Sequence, residues 1–265
     1  MGRLAPAPGP LGDIPRESFI FLGAGAAVLM QLAHPAVGLG VAEHSATLTR
    51  PLDRLRATMT YIYALTLGTE AERRAVAQGV NRAHGPVRSD RYDAFDPELQ
   101  LWVAATLYRG GATLAEIFHG PLPAEEAEAM YRHAAIYGTT LQMPASLWPA
   151  DRAAFEVYWE RTLARLQVEP TVQRFVDALL DGGAVPWWLR GLMPLQRFFT
   201  RALLPPALRS AFGLPWTARD QRRWERFLRF GPRFYWSLPR WLRHLPAALV
   251  LRDMRRRLAA GRRPI

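Results

Sequence analysis

The sequence predicts an all-α fold: one globular domain of about ten helices joined by glycine- and proline-rich loops. Three observations predict it. Apolar residues recur at helical spacing, as in Leu99, Trp102, Val103, Leu107 and Leu114, and residues three or four apart share one helix face. Helix-opening signals stand before such runs, among them Thr69 with Glu72 and the triplet Asp96-Pro97-Glu98. Strand signals are almost absent, with no sustained alternation of β-branched residues and no Asn-Gly turn.

Residues 1–14, MGRLAPAPGPLGDI, read as an extended, partly mobile arm because of their proline and glycine. Residues 15–265 read as the single domain. Pro15 suits a first helical turn, and the helix from there to Ala33 is apolar nearly all round, which places it in the core. Its GAGA at 23–26 would let another helix or a flat cofactor approach closely. The uncharged run 19–33 is only 15 residues long, too short to span a bilayer comfortably. His34-Pro35 ends or kinks it. A second apolar segment reaches Ser45, and Thr49 is expected to cap a helix that starts at Pro51 and carries Arg54. The Thr69 capping box opens the helix that leads to His84, which Gly85-Pro86 stops. Further helices are expected from Asp96 to Gly120, from Pro123 through Tyr137, and from Asp151 to about Leu166. The remainder falls at 171–180, 187–204, 206–212, 217–230 and 245–260.

Composition excludes several chemistries. With no cysteine, disulfides, iron–sulfur clusters and thiolate-ligated metals are absent, so a protein-bound metal must use the six histidines and the carboxylates. All 34 basic residues are arginine, which removes Schiff-base lysines and P-loop lysines. The charge is uneven. From Pro186 onward 18 arginines face three acids, Asp220, Glu225 and Asp253, whereas the first 185 residues carry 16 arginines and 20 acids. Such a basic end suits an anionic neighbour. No nucleic-acid-binding module is recognisable. In the segment LRFGPRFYWSLPRWLRHLP, aromatics and arginines interleave as they do at membrane interfaces. The expectation is a cytoplasmic protein in peripheral membrane contact through this basic part, set against the simpler reading of a solvated face.

Chemistry concentrates between Arg54 and Arg88. Arg54 and Thr58 form an RxxxT pair one helical turn apart, with Tyr61 on the next turn, so a cation, a hydroxyl and a phenol line one wall. His84 and Arg88 form an HxxxR pair, and His84 faces inward if Val76 and Val80 do. A neutral imidazole is a common ligand for haem iron and other transition metals, although a lone helix-end histidine is more often bonded to a backbone carbonyl. His44, beside Glu43 and Ser45, is polar in an apolar neighbourhood. His34 stands at a helix end. A non-haem metal site built from His34, His44 and His84 is therefore open as well.

The segments GAAVLMQLAHPAVGLGVAEHS, PLDRLRATMTYIYALTLG, RAHGPVRSDRYDAFDPELQLWVAATL and LLPPALRSAFGLPW, in this order and spacing, resemble the oxygenase family of MpaB and the latex-clearing protein, the rubber oxygenase catalytic domain. The resemblance runs from about residue 17 to about residue 230. It implies an all-helical domain around a haem pocket, haem b as cofactor, and use of dioxygen to cleave carbon–carbon double bonds in isoprenoid chains. It also implies that His84 is the proximal iron ligand, with Arg88 beside it, and that Arg54 and Thr58 line the distal or propionate side. Glu43 is the nearest match to a carboxylate base, and His44 and His34 are further candidates at the cofactor. Two departures stand out. Ala57 occupies the place of a distal lysine found in latex-clearing members, and Ala104 replaces a histidine common in relatives. The expected function is a haem-b oxygenase acting with dioxygen on an apolar, isoprenoid or lipid substrate, the alternative a non-catalytic helical haem or lipid carrier.

Overall fold

The capping box foreseen at Thr69 is present: Glu72 N–H donates to Thr69 Oγ1 at 3.3 Å, and Thr69 N–H donates to Glu72 Oε2 at 2.8 Å. Two of the amides that a helix start leaves open are thereby satisfied. The computed structural model describes residues 13–265 except Ala184. Among these residues there is no strand, only an isolated bridge between Arg88 and Asp93. Most of the expected arm, residues 1–12, lies outside the described part, and Ile14 at its end is buried with Phe19, Phe118 and Tyr235.

The helices are α1 (Ala24–Leu32), α2 (Pro35–His44), α3 (Pro51–Leu67), α4 (Glu70–His84), α5 (Pro97–His119), α6 (Ala124–Ala134), α7 (Ile136–Thr139), α8 (Arg152–Leu163), α9 (Pro170–Asp181), α10 (Trp187–Arg190), α11 (Met193–Leu203), α12 (Pro206–Ala211), α13 (Ala218–Ser237) and α14 (Arg240–Ala259). Asp96 and Asp151 cap α5 and α8 as expected, each accepting a backbone N–H at 2.8 Å. Thr49 does not cap α3. Its hydroxyl donates instead to Ala46 O at 3.1 Å, and α3 opens on Pro51 without a side-chain cap.

Other boundaries moved for identifiable reasons. The helix expected over 15–33 is two 3₁₀ turns, Ile14–Arg16 and Ser18–Gly23, before α1. Between them Glu17 is extended (φ −69°, ψ 130°). From there its buried carboxylate accepts hydrogen bonds from Tyr235 Oη at 2.6 Å, Arg243 Nη1 at 2.7 Å and His244 Nε2 at 2.9 Å. A buried carboxylate needs several donors, and the extended Glu17 finds three of them. The helix expected to stop at 230 runs on through Gly231-Pro232 to Ser237, and α14 begins at Arg240 with Pro246 inside it. An interior proline costs about 3 kcal/mol. Burial of Tyr235 against Phe19 and Phe118, and of Ala247 against Met59 and Tyr63, offsets that cost. The segments 123–137 and 187–204 each break once, into α6 and α7 and into α10 and α11.

The main core lies among α1, α2, α5, α6, α8 and α9, where Trp102 stacks on Trp159 at 5.2 Å and donates its indole N–H to Met30 O at 3.2 Å. The apolar stretch containing α1 and α2 turns by 108° at its break, and Leu29, Met30, Leu32 and Leu39 are core residues. Among the described residues no single helix is long and apolar enough to cross a membrane. α14 packs along α3, which packs on α4.

The close approach allowed by the GAGA stretch is made by another helix, α11. A Cβ built on Gly25 would lie 2.1 Å from Thr200 Oγ1 and 3.2 Å from Thr200 Cβ. Gly25→Ala should therefore destabilise the protein by about 1–3 kcal/mol, as overpacking does, read as a lower urea midpoint. Adding Thr200→Ala should recover part of the loss.

Candidate functional site

Between α2, α3, α4 and α5 lies a cavity of about 740 Å³, within the roughly 300–1,000 Å³ typical of small-molecule sites. Ala36, Val37, Val41, Val80, Leu99, Val103, Leu107 and Leu141 give it apolar walls, and Arg54, Thr58, Tyr61, His44, His84 and Tyr137 add polar groups. The one-turn spacing of Arg54, Thr58 and Tyr61 on α3 thus does place all three on one wall. Val80 faces the same space, while Val76 is fully buried behind α4.

His84 comes from the last turn of α4. Its Nδ1 is buried and has no hydrogen-bond partner among the described residues, which leaves Nε2 as the nitrogen able to face the cavity. Burial first, and the nearby Arg54 charge second, lower its pKa from 6.5 to about 4. The ring is therefore neutral near pH 7 with a lone pair to offer. Arg54 is exposed and lines the cavity. The protein mass around it lowers its pKa by desolvation. Among the described residues no carboxylate lies within ion-pair distance of Arg54. A cation on the cavity wall without a carboxylate partner among the described residues favours an anionic or strongly polar ligand. Burial also raises the phenol pKa of Tyr137 to about 12, and Tyr61 Oη donates to Tyr137 O at 2.7 Å, which ties α3 to α7 across the cavity.

The last turn of α4 is fixed from behind. Gln142 Nε2 donates to Asn81 Oδ1 at 3.0 Å, and Gln100 Nε2 donates to Gln142 Oε1 at 2.6 Å. Arg88 does not line the cavity. Its Nε donates to Gly85 O at 3.0 Å, so the cation meets the carbonyl end of α4. Its guanidinium also lies 5.7 Å from the Phe95 ring centre, and Phe95 in turn stands edge-on to His84 at 6.4 Å. The HxxxR spacing here produces a helix cap and a prop for the imidazole.

Glu43 also lies off the cavity wall. It accepts the Tyr92 hydroxyl proton at 2.5 Å, and Tyr92 Oη lies 2.9 Å from His44 Nε2. Since the Tyr92 hydroxyl spends its hydrogen on Glu43, the Tyr92 oxygen accepts from His44 Nε2. The hydrogen bond to Glu43 and then burial raise the Tyr92 pKa. His44 and Tyr92 line the cavity, so Glu43 connects to it through them. His34 does not line it. The ring is tilted against Trp102, its Nδ1 is closed off without a partner, and burial lowers its pKa, partly opposed by Asp96. Among the described residues no three His, Asp or Glu side chains gather as a metal site, so the arrangement of His34, His44 and His84 considered from the sequence is not formed. Ala57 lines the cavity, whereas Ala104 is fully buried and does not.

Sequence reasoning missed the contribution of the C-terminal segment. Arg257, Arg263 and Ile265 line the cavity. Ile265 seats against Gly79, where an added Cβ would lie 2.7 Å from its Cγ1, and Arg56 Nη1 donates to Pro264 O at 3.2 Å. The signal available was Gly79 itself, a glycine inside the amphipathic run of α4.

The class of protein is then an all-helical one whose half-open cavity holds a half-buried imidazole and an arginine without an ion-pair partner among the described residues. The chain belongs to the family described as ER-bound oxygenase mpaB/B′/rubber oxygenase, catalytic domain, whose model matches residues 14–233. It is 40% identical over 249 residues to two mycobacterial proteins, the uncharacterized proteins Mb2261 of Mycobacterium bovis and Rv2237 of Mycobacterium tuberculosis, covering 89% of this chain and 96% of each relative. No solved structure matches the chain significantly. The cavity-lining Arg257, Arg263 and Ile265 fall beyond the matched family span.

In cofactor-free protein the His84 ring should titrate by NMR with a midpoint of about 4, and Arg54→Ala should raise that midpoint toward the ordinary value. Because the folded pKa lies below the unfolded one, the stabilising contribution is complete above about pH 6.5 and is lost as pH falls toward 4. His34, His119 and His133 shift in the same direction. The urea midpoint should thus decline through this window, and decline less in His84→Gln.

Proposed function

We propose that the protein is a haem-b-dependent oxygenase acting with dioxygen on an apolar, isoprenoid or lipid substrate. The observation that carries the reading is the His84 imidazole, neutral and with one nitrogen available to a cavity of cofactor size, in a chain of this family. The residues present fit the group. A porphyrin supplies four of the iron's ligands itself, so a single histidine suffices. Its propionates need cationic partners, for which Arg54 is suited. His84 would hold the iron, with Phe95, Arg88 and the Asn81–Gln142–Gln100 bonds fixing its ring. Bound there, haem b would supply the electron-transfer and oxygen chemistry that side chains cannot.

The remaining tasks belong to the chain. Val37, Val41, Val103 and Leu107 would exclude water and align an apolar chain. Thr58 and Arg54 offer hydrogen bonds to an oxygen that gains negative charge in the cavity. A proton entering or leaving would pass by His44 and Tyr92 to Glu43, which stands at the exposed end of that relay.

Expression with iron and a haem precursor should give a Soret band, and His84→Ala should abolish or shift it. Arg54→Ala should retain the fold but weaken haem retention by about tenfold or more, as loss of a charged partner predicts. A wild-type protein that stays colourless after haem titration would overturn the assignment. The alternative, a haem or lipid carrier without turnover, is favoured by Ala57, which offers the cavity a methyl group where latex-clearing members place a lysine. Oxygen-uptake and product assays on prenyl substrates separate the two readings.

A further inference from the structure

The outer surface of α13 and α14 is unusual for a helical protein, because large apolar side chains stand out from it instead of packing beneath it. On α14, Trp241, Leu245 and Leu249 recur every fourth residue, with Trp241 68% and Leu249 56% exposed. They form one stripe. The opposite face of the same helix, Arg243, Ala247 and Met254, is buried, and Ala247 sits against Met59 and Tyr63 of α3. On α13, Phe230 and Phe234 stand one turn apart, Phe234 being 69% exposed. Its inward side chains are Phe227 and Tyr235, which pack on Phe118. The two stripes belong to consecutive helices separated only by Leu238 and Pro239.

The apolar side chains are set among cations. Arg226, Arg229 and Arg233 run beside Phe230 and Phe234, and Arg252 follows Leu249; all four are exposed and none is in an ion pair among the described residues. Over the last 80 residues the balance of 18 arginines to three acids makes the surrounding potential strongly positive. Exposed tryptophan, phenylalanine and leucine interleaved with arginine match the two layers of a bilayer surface: apolar groups enter the acyl boundary while guanidinium groups meet lipid phosphates.

We infer that the α13–α14 face, with Phe230, Phe234, Trp241, Leu245 and Leu249 as the inserting side chains, docks on the surface of an anionic phospholipid bilayer. Charge complementarity selects this occupant over a second copy of the chain, because bringing two such arginine-rich faces together would be repulsive. A nucleic acid would use the arginines but leave the leucines in water. The docking has a geometric consequence for the cavity. From Leu249 to Arg257 is eight residues, or about 12 Å of helix, so one rigid helix joins the lipid-facing stripe to the cavity wall. An apolar substrate dissolved in the bilayer would be held close to the cavity without the protein crossing the membrane. The docking itself does not depend on the haem assignment.

The test is co-sedimentation of the full chain with vesicles of phosphatidylcholine containing phosphatidylglycerol, against phosphatidylcholine alone, with tryptophan emission as a second readout. The expected result is binding to the anionic vesicles, a blue shift of emission, and weakening as salt is raised. Phe234→Ser/Trp241→Ser/Leu249→Ser, which removes only exposed side chains, should lower the partition coefficient by about tenfold or more while leaving circular dichroism and thermal midpoint unchanged. Arg226→Gln/Arg229→Gln/Arg233→Gln should reduce the preference for anionic lipid. Failure of the wild type to sediment with anionic vesicles, equal binding by the triple serine variant, or a soluble dimer disrupted by that variant would each overturn the proposal.

Discussion

The rest of the structure depends on a cavity held open between α2, α3, α4 and α5. The cavity is half open, so solvent or a ligand fills it and it is not the dry void that core packing would close. The polar groups on the wall are therefore as necessary as the apolar ones, since they give solvent or a polar ligand something to bind. The walls are held apart from outside. Tyr61 reaches Tyr137 O, the Asn81–Gln142–Gln100 bonds span α4 and α5, and Ile265 wedges against Gly79. With the frame fixed in this way, His84 keeps its ring in place with Nδ1 buried and Nε2 left to face the cavity.

A second polar commitment sits on the far side of α3. The Glu17 carboxylate gathers Tyr235, Arg243 and His244 and so binds the start of the described chain to both α13 and α14. Removing one partner of such a buried cluster leaves an uncompensated charge, which makes the arrangement specific more than it makes it strong. Its effect is to lay α14 along α3. That placement carries Arg257 to the cavity and turns Trp241, Leu245 and Leu249 outward, so a single packing decision sets both the cavity wall and the exposed apolar stripe.

Three of the four helix caps expected were legible because their chemistry is local, Thr49 being the exception. The boxes and caps at Thr69, Asp96 and Asp151 act within four residues, and all three formed. The continuation of α13 through Pro232 was not legible, because burial of Tyr235 by residues more than a hundred positions away outweighs a local penalty. The RxxxT pair was readable for the same reason as the caps, one turn of helix fixing its geometry. The HxxxR pair was only half readable. Its histidine reaches the cavity, but the arginine caps the helix and stacks on Phe95, because the chain has already left helical geometry at Gly85-Pro86. Glu43 near the end of α2 and His34 just before its start both turn away from the wall, Glu43 to Tyr92 and His34 to Trp102.

By itself the sequence determined an all-helical chain, the face shared by Arg54, Thr58 and Tyr61, the absence of thiolate and lysine chemistry, and the motifs of an oxygenase family. The first three follow from composition, from the 3.6-residue period and from caps that operate within one turn, whereas the family motifs are a resemblance carried by four ordered segments. Only the tertiary structure decided that His44 and His84, and not His34, meet the cavity, that Arg54 stands there without a carboxylate partner among the described residues, and that residues 257–265 help to enclose it. Those outcomes depend on contacts between segments far apart in the chain, and no local spacing encodes which of two helix faces its neighbours will cover.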